Sequence, residues 1–148
     1  MYSSKLIALL RTFRPLELRR FEDFLESPYF SRSESLVQLF KVLRKAAPDF
    51  PAEKLDRYEV WDLAHPGKAA SEQDIATEMN ALLRQAEAFL GMEQYQNHES
   101  LRDIHVLEAF ERRALEKNFR LQLKRIHQKL DQETAQTEDH FLRRYQAA

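Results

Sequence analysis

The chain contains no cysteine and only two glycines among its 148 residues. Without cysteine it can form no disulfide, thiolate metal site or cysteine nucleophile, and such a composition is typical of a reducing compartment. Sheets and hairpins use glycine at their turns, so the shortage of glycine indicates helices joined by proline, serine and asparagine. A glycine-rich phosphate-binding loop is excluded as well, because only Gly67 and Gly91 are present.

Long apolar runs and an excess of charge of one sign are also lacking. The longest apolar run near the start, 6–10, ends at Arg11 and is too short for a signal peptide or a membrane span. The formal net charge is −1 with 32% charged residues, which is typical of solvated helix faces. We therefore expect a cytoplasmic protein with no membrane partner.

Apolar residues are plentiful enough for a packed interior. Hydrophobic residues make up 43% of the chain and include ten phenylalanines. A chain of this length can bury a core without metals or disulfides. Composition therefore predicts a helical globular protein.

The segment 14–31 is the most informative part of the sequence. Pro15 suits a first helical turn, and Pro28 prevents the helix from continuing beyond about Ser27. Phe21 and Phe24 then share one face of the predicted helix 15–27. This pattern indicates a fold and carries no chemistry of its own.

Capping residues and helix breakers divide the remainder of the first 92 residues. The sequence predicts helices from Ser3 or Ser4 to Phe13, and over about 32–47, 55–65 and 71–90. Ser31 with Glu34, and Ser71 with Asp74, have the spacing of capping boxes. Gly91 is expected to be a left-handed C-terminal cap of the last of these helices.

The late region has neither proline nor glycine from Asn97 onward. Its apolar stripes fit either one long helix or two antiparallel helices that turn near 115–118. A further helix is predicted to begin near Thr137. Because Phe141 and Tyr145 would be exposed on so short a final helix, we expect the helical array to continue beyond this chain.

Together these patterns predict an all-α protein. A five-helix N-terminal bundle over 1–92 is followed by antiparallel helices over 97–148, of a repeat-like type as in α-solenoids and TPR proteins. One continuous compact domain is the alternative arrangement.

The first helices resemble those of two groups of proteins. One is a group of long, uncharacterised bacterial helical proteins, in which a motif "RF-x-x-F-L-x-SPYF" precedes a helical-repeat region; the resemblance implies repeats and no assigned activity. The other is the death-fold group, such as pyrin domains, with its "E-L-x-R-F" helix; that resemblance implies a six-helix bundle. The residues that match the first group are Glu17, Arg20, Phe21, Phe24, Leu25, Ser27, Pro28, Tyr29 and Phe30.

Catalytic and metal-binding patterns are weak. None of the five histidines has a second histidine at i+3 or i+4, the usual zinc-binding spacing on a helix. His105 and Glu108 are three residues apart, but a carboxylate-bridged bundle needs a second such pair on a facing helix. No serine lies in a nucleophile-elbow context. We expect no enzyme activity, no cofactor, no metal and no small-molecule substrate.

Exposed apolar groups are the better functional candidates. Tyr29 and Phe30 either fill the core between the second and third helices or anchor a protein partner, and Trp61 is expected in the core. The predicted function is a non-catalytic protein-interaction or scaffold module that binds a protein partner or self-associates. The partner-binding candidates are Tyr29, Phe30, Phe119, Leu123, Ile126 and Leu130.

Two alternative functions remain open. Four cations recur at helical spacing and could follow a phosphate backbone, which would make the protein a nucleic-acid-associated regulator. They are Arg113, Lys117, Arg120 and Lys124. The second alternative, implied by the death-fold resemblance, is a homotypic signalling bundle.

Overall fold

The computed structural model describes residues 4–146, and these form seven α-helices, one 3-10 turn and no strand. The all-α prediction is confirmed. Ser3 and the side chain of Tyr145, both named in the sequence predictions, lie outside what the structure describes. No helix among the described residues has both the length and the apolar content that crossing a bilayer requires. The helices are α1 Lys5–Leu10, α2 Pro15–Glu26, α3 Glu34–Arg44, α4 Arg57–Ala64, α5 Glu72–Asn97, α6 Glu99–Arg112 and α7 Glu116–Gln146, with the 3-10 turn at Ala52–Lys54.

The chain divides into two compact units, unit 1 over 1–92 and unit 2 over 93–148. Unit 1 contains the buried apolar core, to which every helix from α1 to α5 contributes. Its centre is aromatic: the ring of Phe21 lies 4.7 Å from that of Phe40, 5.3 Å from that of Phe89 and 5.8 Å from that of Phe13. Side chains from α3, α5 and the turn before α2 therefore meet at one fully buried ring of α2.

Helices α1 and α2 begin near the predicted residues. Ser4 caps α1, its Oγ accepting from the Ile7 N–H, but α1 ends at Leu10 and Phe13 follows in a turn. Helix α2 begins without a serine cap. Instead, the backbone N–H of Arg14 donates to Glu17 Oε2 at 2.7 Å, and this hydrogen bond lowers the pKa of Glu17.

The predicted Ser31–Glu34 capping box is wrong. The Ser31 N–H donates to the Ser27 carbonyl at 2.9 Å, so Ser31 still belongs to the turn that ends α2. Helix α3 begins two residues later, with Ser33 Oγ accepting from the Leu36 N–H. The helix is accordingly shorter than the predicted 32–47.

The link between α3 and α4 contributes to the core. Phe50 lies between the helix-breaking prolines 48 and 51, is fully buried and has a φ of +46°. The Arg11 guanidinium donates to the carbonyls of Asp49 and Phe50 at 3.3 and 3.1 Å. A side-chain contact from the end of α1 thereby supports a backbone conformation that L residues adopt at a cost of about 1 kcal/mol.

Helices α4 and α5 confirm some predicted ends and correct others. Asp56 caps α4, which spans 57–64 in place of the predicted 55–65. Ser71 and Asp74 form the predicted capping box before α5, and hydrogen bonds from Ser71 lower the pKa of Asp74. The predicted C-terminal cap at Gly91 is wrong, because α5 continues through this residue to Asn97. A Cβ atom added at Gly91 would contact no neighbouring side chain.

Unit 2 is built on a helical hairpin. The late region forms two packed helices, α6 and α7, and not one. At the turn, the N–H of Leu115 donates to the Phe110 carbonyl and that of Ala114 to the Glu111 carbonyl, which is a Schellman motif with Ala114 at φ +54°. The predicted further helix near Thr137 is instead the continuation of α7. The repeat-like arrangement stays a prediction.

Candidate functional site: apolar and charged surfaces

The segment Ser27–Ser33, here called the aromatic loop, presents two aromatic rings beside α2. Tyr29 is 87% exposed and Phe30 is 38% exposed. The Phe30 ring stacks on Phe24 at 4.7 Å, and the Tyr29 ring meets the edge of Phe30 at 4.9 Å. Of the two alternatives for Tyr29, the one in which it fills the core is therefore wrong, while Phe30 covers the edge of the core. Trp61 is buried, as predicted.

A shallow groove runs beside the aromatic loop, between the end of α2 and the start of α3. Leu25 and Val37 line it together with polar residues of the loop. At its edge, Lys41 Nζ lies 2.7 Å from Glu26 Oε1, and the hydrogen bond to this carboxylate raises the pKa of Lys41. The groove therefore has an apolar floor and a rim on which these two charges are already paired.

The predicted contact stripe on α7 consists of Phe119, Leu123, Ile126 and Leu130 and is called the α7 stripe below. Phe119, Leu123 and Ile126 are half-buried, while Leu130 is 50% exposed. Ile126 and Leu130 line a cleft together with Ile104 of α6. The first three members thus pack within the hairpin, and Leu130 stands at its edge.

A polar cluster joins α6 and α7 beside this stripe. Lys129 Nζ donates to Asp103 Oδ2 at 2.8 Å and to Glu99 Oε1 at 2.6 Å, and Gln122 donates to Asp103 at 2.9 Å. The hydrogen bond from Lys129 lowers the pKa of Asp103, and the same bond raises the pKa of Lys129. Sequence reasoning missed this cluster, because the hydrogen-bonded partners lie on different helices and are 19 to 30 residues apart.

The predicted basic face is divided between two elements. Arg113 lies in the turn after α6, where its guanidinium donates to the Ala109 carbonyl at 3.1 Å. Lys117, Arg120 and Lys124 lie exposed on α7, and Arg120 is hydrogen-bonded to Glu116. Three of the four cations therefore share a helix, and one of those three is already paired.

A partly buried hydrogen-bonded chain lies in unit 1, where sequence analysis places no site. His65 Nε2 lies 2.7 Å from Glu78 Oε2, and Ser35 Oγ donates to the other oxygen of the same carboxylate. The carboxylate stands between serine and histidine, so the imidazole cannot take the serine proton as it does in a hydrolase triad. The chain links α3, the end of α4 and α5, which is a structural role.

His105 and Glu108 have the i,i+3 spacing of metal ligands on a helix. His105 Nδ1 lies 3.2 Å from Glu108 Oε2 on the exposed surface of α6. Within residues 4–146, no group of three or more histidine, aspartate or glutamate side chains is arranged to hold a metal ion.

No family model matches the chain, and no curated protein or solved structure matches it either.

Proposed function

We propose that the protein is a non-catalytic protein-interaction or scaffold module. The observation that supports this proposal best is the burial in unit 2: of its described side chains, only Gln122 is buried. Every buried apolar side chain among the described residues belongs to unit 1. The hairpin has apolar stripes on both helices and, within its described part, no fully buried apolar residue.

A helical hairpin of this kind is weakly stabilised by itself. Most of the stability of a protein helix comes from packing its apolar face, and stacked helical units bury those faces against neighbours. The large apolar side chains of unit 2 that remain exposed include Leu101, Ile104, Leu115, Leu121, Leu130, Phe141 and Leu142. They provide the surface on which a protein partner would gain most from binding.

Phe141 extends the line of the α7 stripe past the level at which α6 begins, because it lies eleven residues after Leu130 on the same side of the helix. Glu99 begins α6 and binds Lys129, so α7 extends from Leu130 to Gln146 beyond that level, which is roughly 25 Å of helix. Leu130 and Phe141 lie on this extension and are 50% and 54% exposed. A groove that accepts an amphipathic helix would bury both residues.

The aromatic loop is the second proposed contact. Tyr29 has a large ring with few rotatable bonds, held in a short turn next to a rigid core, which is the usual character of a binding anchor. The Lys41–Glu26 pair forms a polar rim beside this contact.

Affinity purification tests the proposal. The tagged chain and its Leu130→Ser/Phe141→Ser variant are used on lysate of the native host, each with and without nuclease, and bound proteins are quantified by mass spectrometry. Leu16→Ser/Leu63→Ser is the matched control, since these two leucines of unit 1 are 54% and 65% exposed. Circular dichroism checks that each variant keeps its helix content.

We expect the wild type and the control to capture the same defined protein, with or without nuclease. The Leu130→Ser/Phe141→Ser variant should capture about tenfold less of it or lower still, because it has lost two apolar anchors. Co-purified proteins that are lost after nuclease treatment would instead favour the nucleic-acid alternative, with binding through Lys117, Arg120 and Lys124. Equal capture by all three chains would contradict the assignment of the α7 stripe.

A further inference from the structure

The side of α7 that faces away from the α7 stripe has its own sequence pattern. Leu121 is nine residues from Leu130, which places the two on opposite sides of the helix, about 180° apart. Leu121 and Leu142 are 57% and 58% exposed and are three heptads apart, which puts them about 60° apart around a straight helix and in line when two helices supercoil. This outward face, as we call it, comprises Leu121, Lys124, Arg125, Gln128, Ala135, Glu138, Asp139 and Leu142, all of them exposed.

The charges on this face reverse about the midpoint between Asp131 and Gln132. Leucine, two cations and glutamine precede the midpoint; alanine, two anions and leucine follow it at the same distances. Residues equally far from the midpoint come to the same level when two such helices lie antiparallel around a two-fold axis. Leucine then meets leucine at both ends, each charge meets its opposite, and glutamine meets the small side chain of alanine.

We propose that the outward face is a homodimerisation surface on which α7 of a second copy lies antiparallel. Two-fold symmetry repeats each pair of facing residues, so one interface contains four ion pairs. Opposite charges on the flanks of a helix pair set both its orientation and its register. In this register Leu121 faces Leu142 and Gln128 faces Ala135, while on the two flanks Lys124 lies beside Glu138 and Arg125 beside Asp139, each within one residue of the same level.

The four charges are available for this pairing. Among the residues that the structure describes, neither Lys124 nor Arg125 forms an ion pair, and the same holds for Glu138 and Asp139. Lys129 of the same helix, by contrast, is bound to Glu99 and Asp103. The cations that would pair between copies are thus ones that have no acidic partner within the described part of the hairpin.

Pairing through Leu130 and Phe141 lacks this reversed order of charges. An antiparallel register that brings Leu130 onto Phe141 of the other copy brings Glu133 level with Glu138, so no cation meets an anion at that level. We therefore assign self-pairing to the outward face and leave the α7 stripe to the proposed partner.

The expected dimer is weak and sensitive to salt. Only three heptads pair, and the exposed ion pairs are screened by electrolyte. At the centre Asp131 and Gln132 each lie beside their own counterpart in the other copy, and at the ends Arg120 lies level with Arg143, so these positions add no ion pair and the two Asp131 carboxylates weaken the dimer. The inference goes beyond the proposed function because it uses a different face of α7. A strictly monomeric chain would overturn it and leave the proposed function intact.

Sedimentation equilibrium with two charge-reversed variants tests the pairing. Lys124→Glu/Arg125→Glu makes the charges of the outward face wholly acidic, and Glu138→Lys/Asp139→Lys makes them wholly basic. The control Arg19→Glu/Lys54→Glu applies the charge change of the first variant to exposed positions in unit 1. All chains are compared over a wide concentration range, at low salt and at about 1 M salt, where screening is nearly complete.

We expect the wild type and the control to dimerise at low salt, and each reversed variant alone to dimerise at least about tenfold more weakly. An equimolar mixture of the two reversed variants regains the dimer, because every charged level of the interface is then complementary again. A wild type that stays monomeric, or a mixture that associates no better than its components, would overturn the proposal.

Spin labels test the orientation, since the chain has no cysteine to replace first. Labels at Gln132→Cys lie beside the two-fold axis and should give the shortest distance between copies. Labels at Leu142→Cys should be roughly 30 Å farther apart along the helix axis. Equally short distances at both positions would indicate a parallel pair and contradict the antiparallel register.

Discussion

Single side chains contribute most where several helices meet, and Phe21 is the clearest case. Its ring is fully buried and contacts the rings of Phe13, Phe40 and Phe89. Replacing it with alanine leaves a cavity between four segments, so we expect Phe21→Ala to lower the free energy of unfolding by about 4 kcal/mol. Tyr29→Ala is the control, and chemical denaturation should show a change below about 0.5 kcal/mol. A similar loss for both variants would contradict the burial described here.

The backbone at Gly91 suits alanine, and the backbone at Ala114 suits glycine. Gly91 lies inside α5 with nothing near an added Cβ, and Ala114 lies at φ +54° in the turn before α7. Alanine is the better helix former and glycine the better left-handed residue, so Gly91→Ala and Ala114→Gly should each stabilise the chain by about 1 kcal/mol. Thermal denaturation measures both. The double variant should show their sum, because the sites are far apart in sequence and belong to different units.

The polar cluster of the hairpin predicts a pH effect at Asp103. Its hydrogen bond from Lys129 lowers the pKa of the carboxyl below the ordinary value of 3.8. The lowered pKa means that this interaction stabilises the folded chain at pH above 3.8, and that the contribution is lost as the pH falls through the folded-state pKa. Carboxyl carbon NMR should therefore find a midpoint below 3.8.

Lys129→Met provides the control for that titration. Without the ammonium group, the midpoint of Asp103 should move up towards 3.8, while the hydrogen bond from Gln122 remains. An identical midpoint in both proteins would mean that Lys129 does not govern the carboxyl.

At the scale of elements, helix positions follow from periodicity, whereas several helix ends do not. The apolar lines of α2, α3 and α5 are buried as the spacing predicts, because that spacing alone decides which face a helix can bury. Ser71 and Asp74 form the predicted cap with reciprocal hydrogen bonds. Ser31 does not cap α3, because its N–H and its Oγ are both used within the loop after α2, and Ser33 Oγ accepts from the Leu36 N–H instead.

Gly91 and Phe50 show what local patterns cannot decide. A glycine at the end of an apolar stripe is typical of a C-terminal cap, but the residues up to Asn97 are good enough helix formers to continue α5. Phe50 lies between two prolines and looks like a loop residue, yet it is fully buried and its backbone is held by Arg11 from the end of α1. Such contacts depend on the tertiary fold.

For the whole molecule, the sequence predicts the all-α class but only part of the candidate surfaces. Leu130 and Tyr29 were candidates from their spacing and loop position, and both are exposed. The chain of Ser35, Glu78 and His65 has no sequence signature, because its members come from three helical segments. The outward face of α7 could have been found from the sequence, since its reversed order of charges is visible once the helix bounds are known.

Hydrogen exchange of the dilute chain, followed by mass spectrometry, tests the central claim most directly. If unit 2 depends on a partner for its packing, amides of α6 and α7 should exchange much faster than those of α2, α3 and the first part of α5. Protection of α7 should then rise as the chain is concentrated or a captured partner is added. Protection of α7 equal to that of α2 in the dilute chain would contradict the account, because the hairpin would then be stable without any further surface.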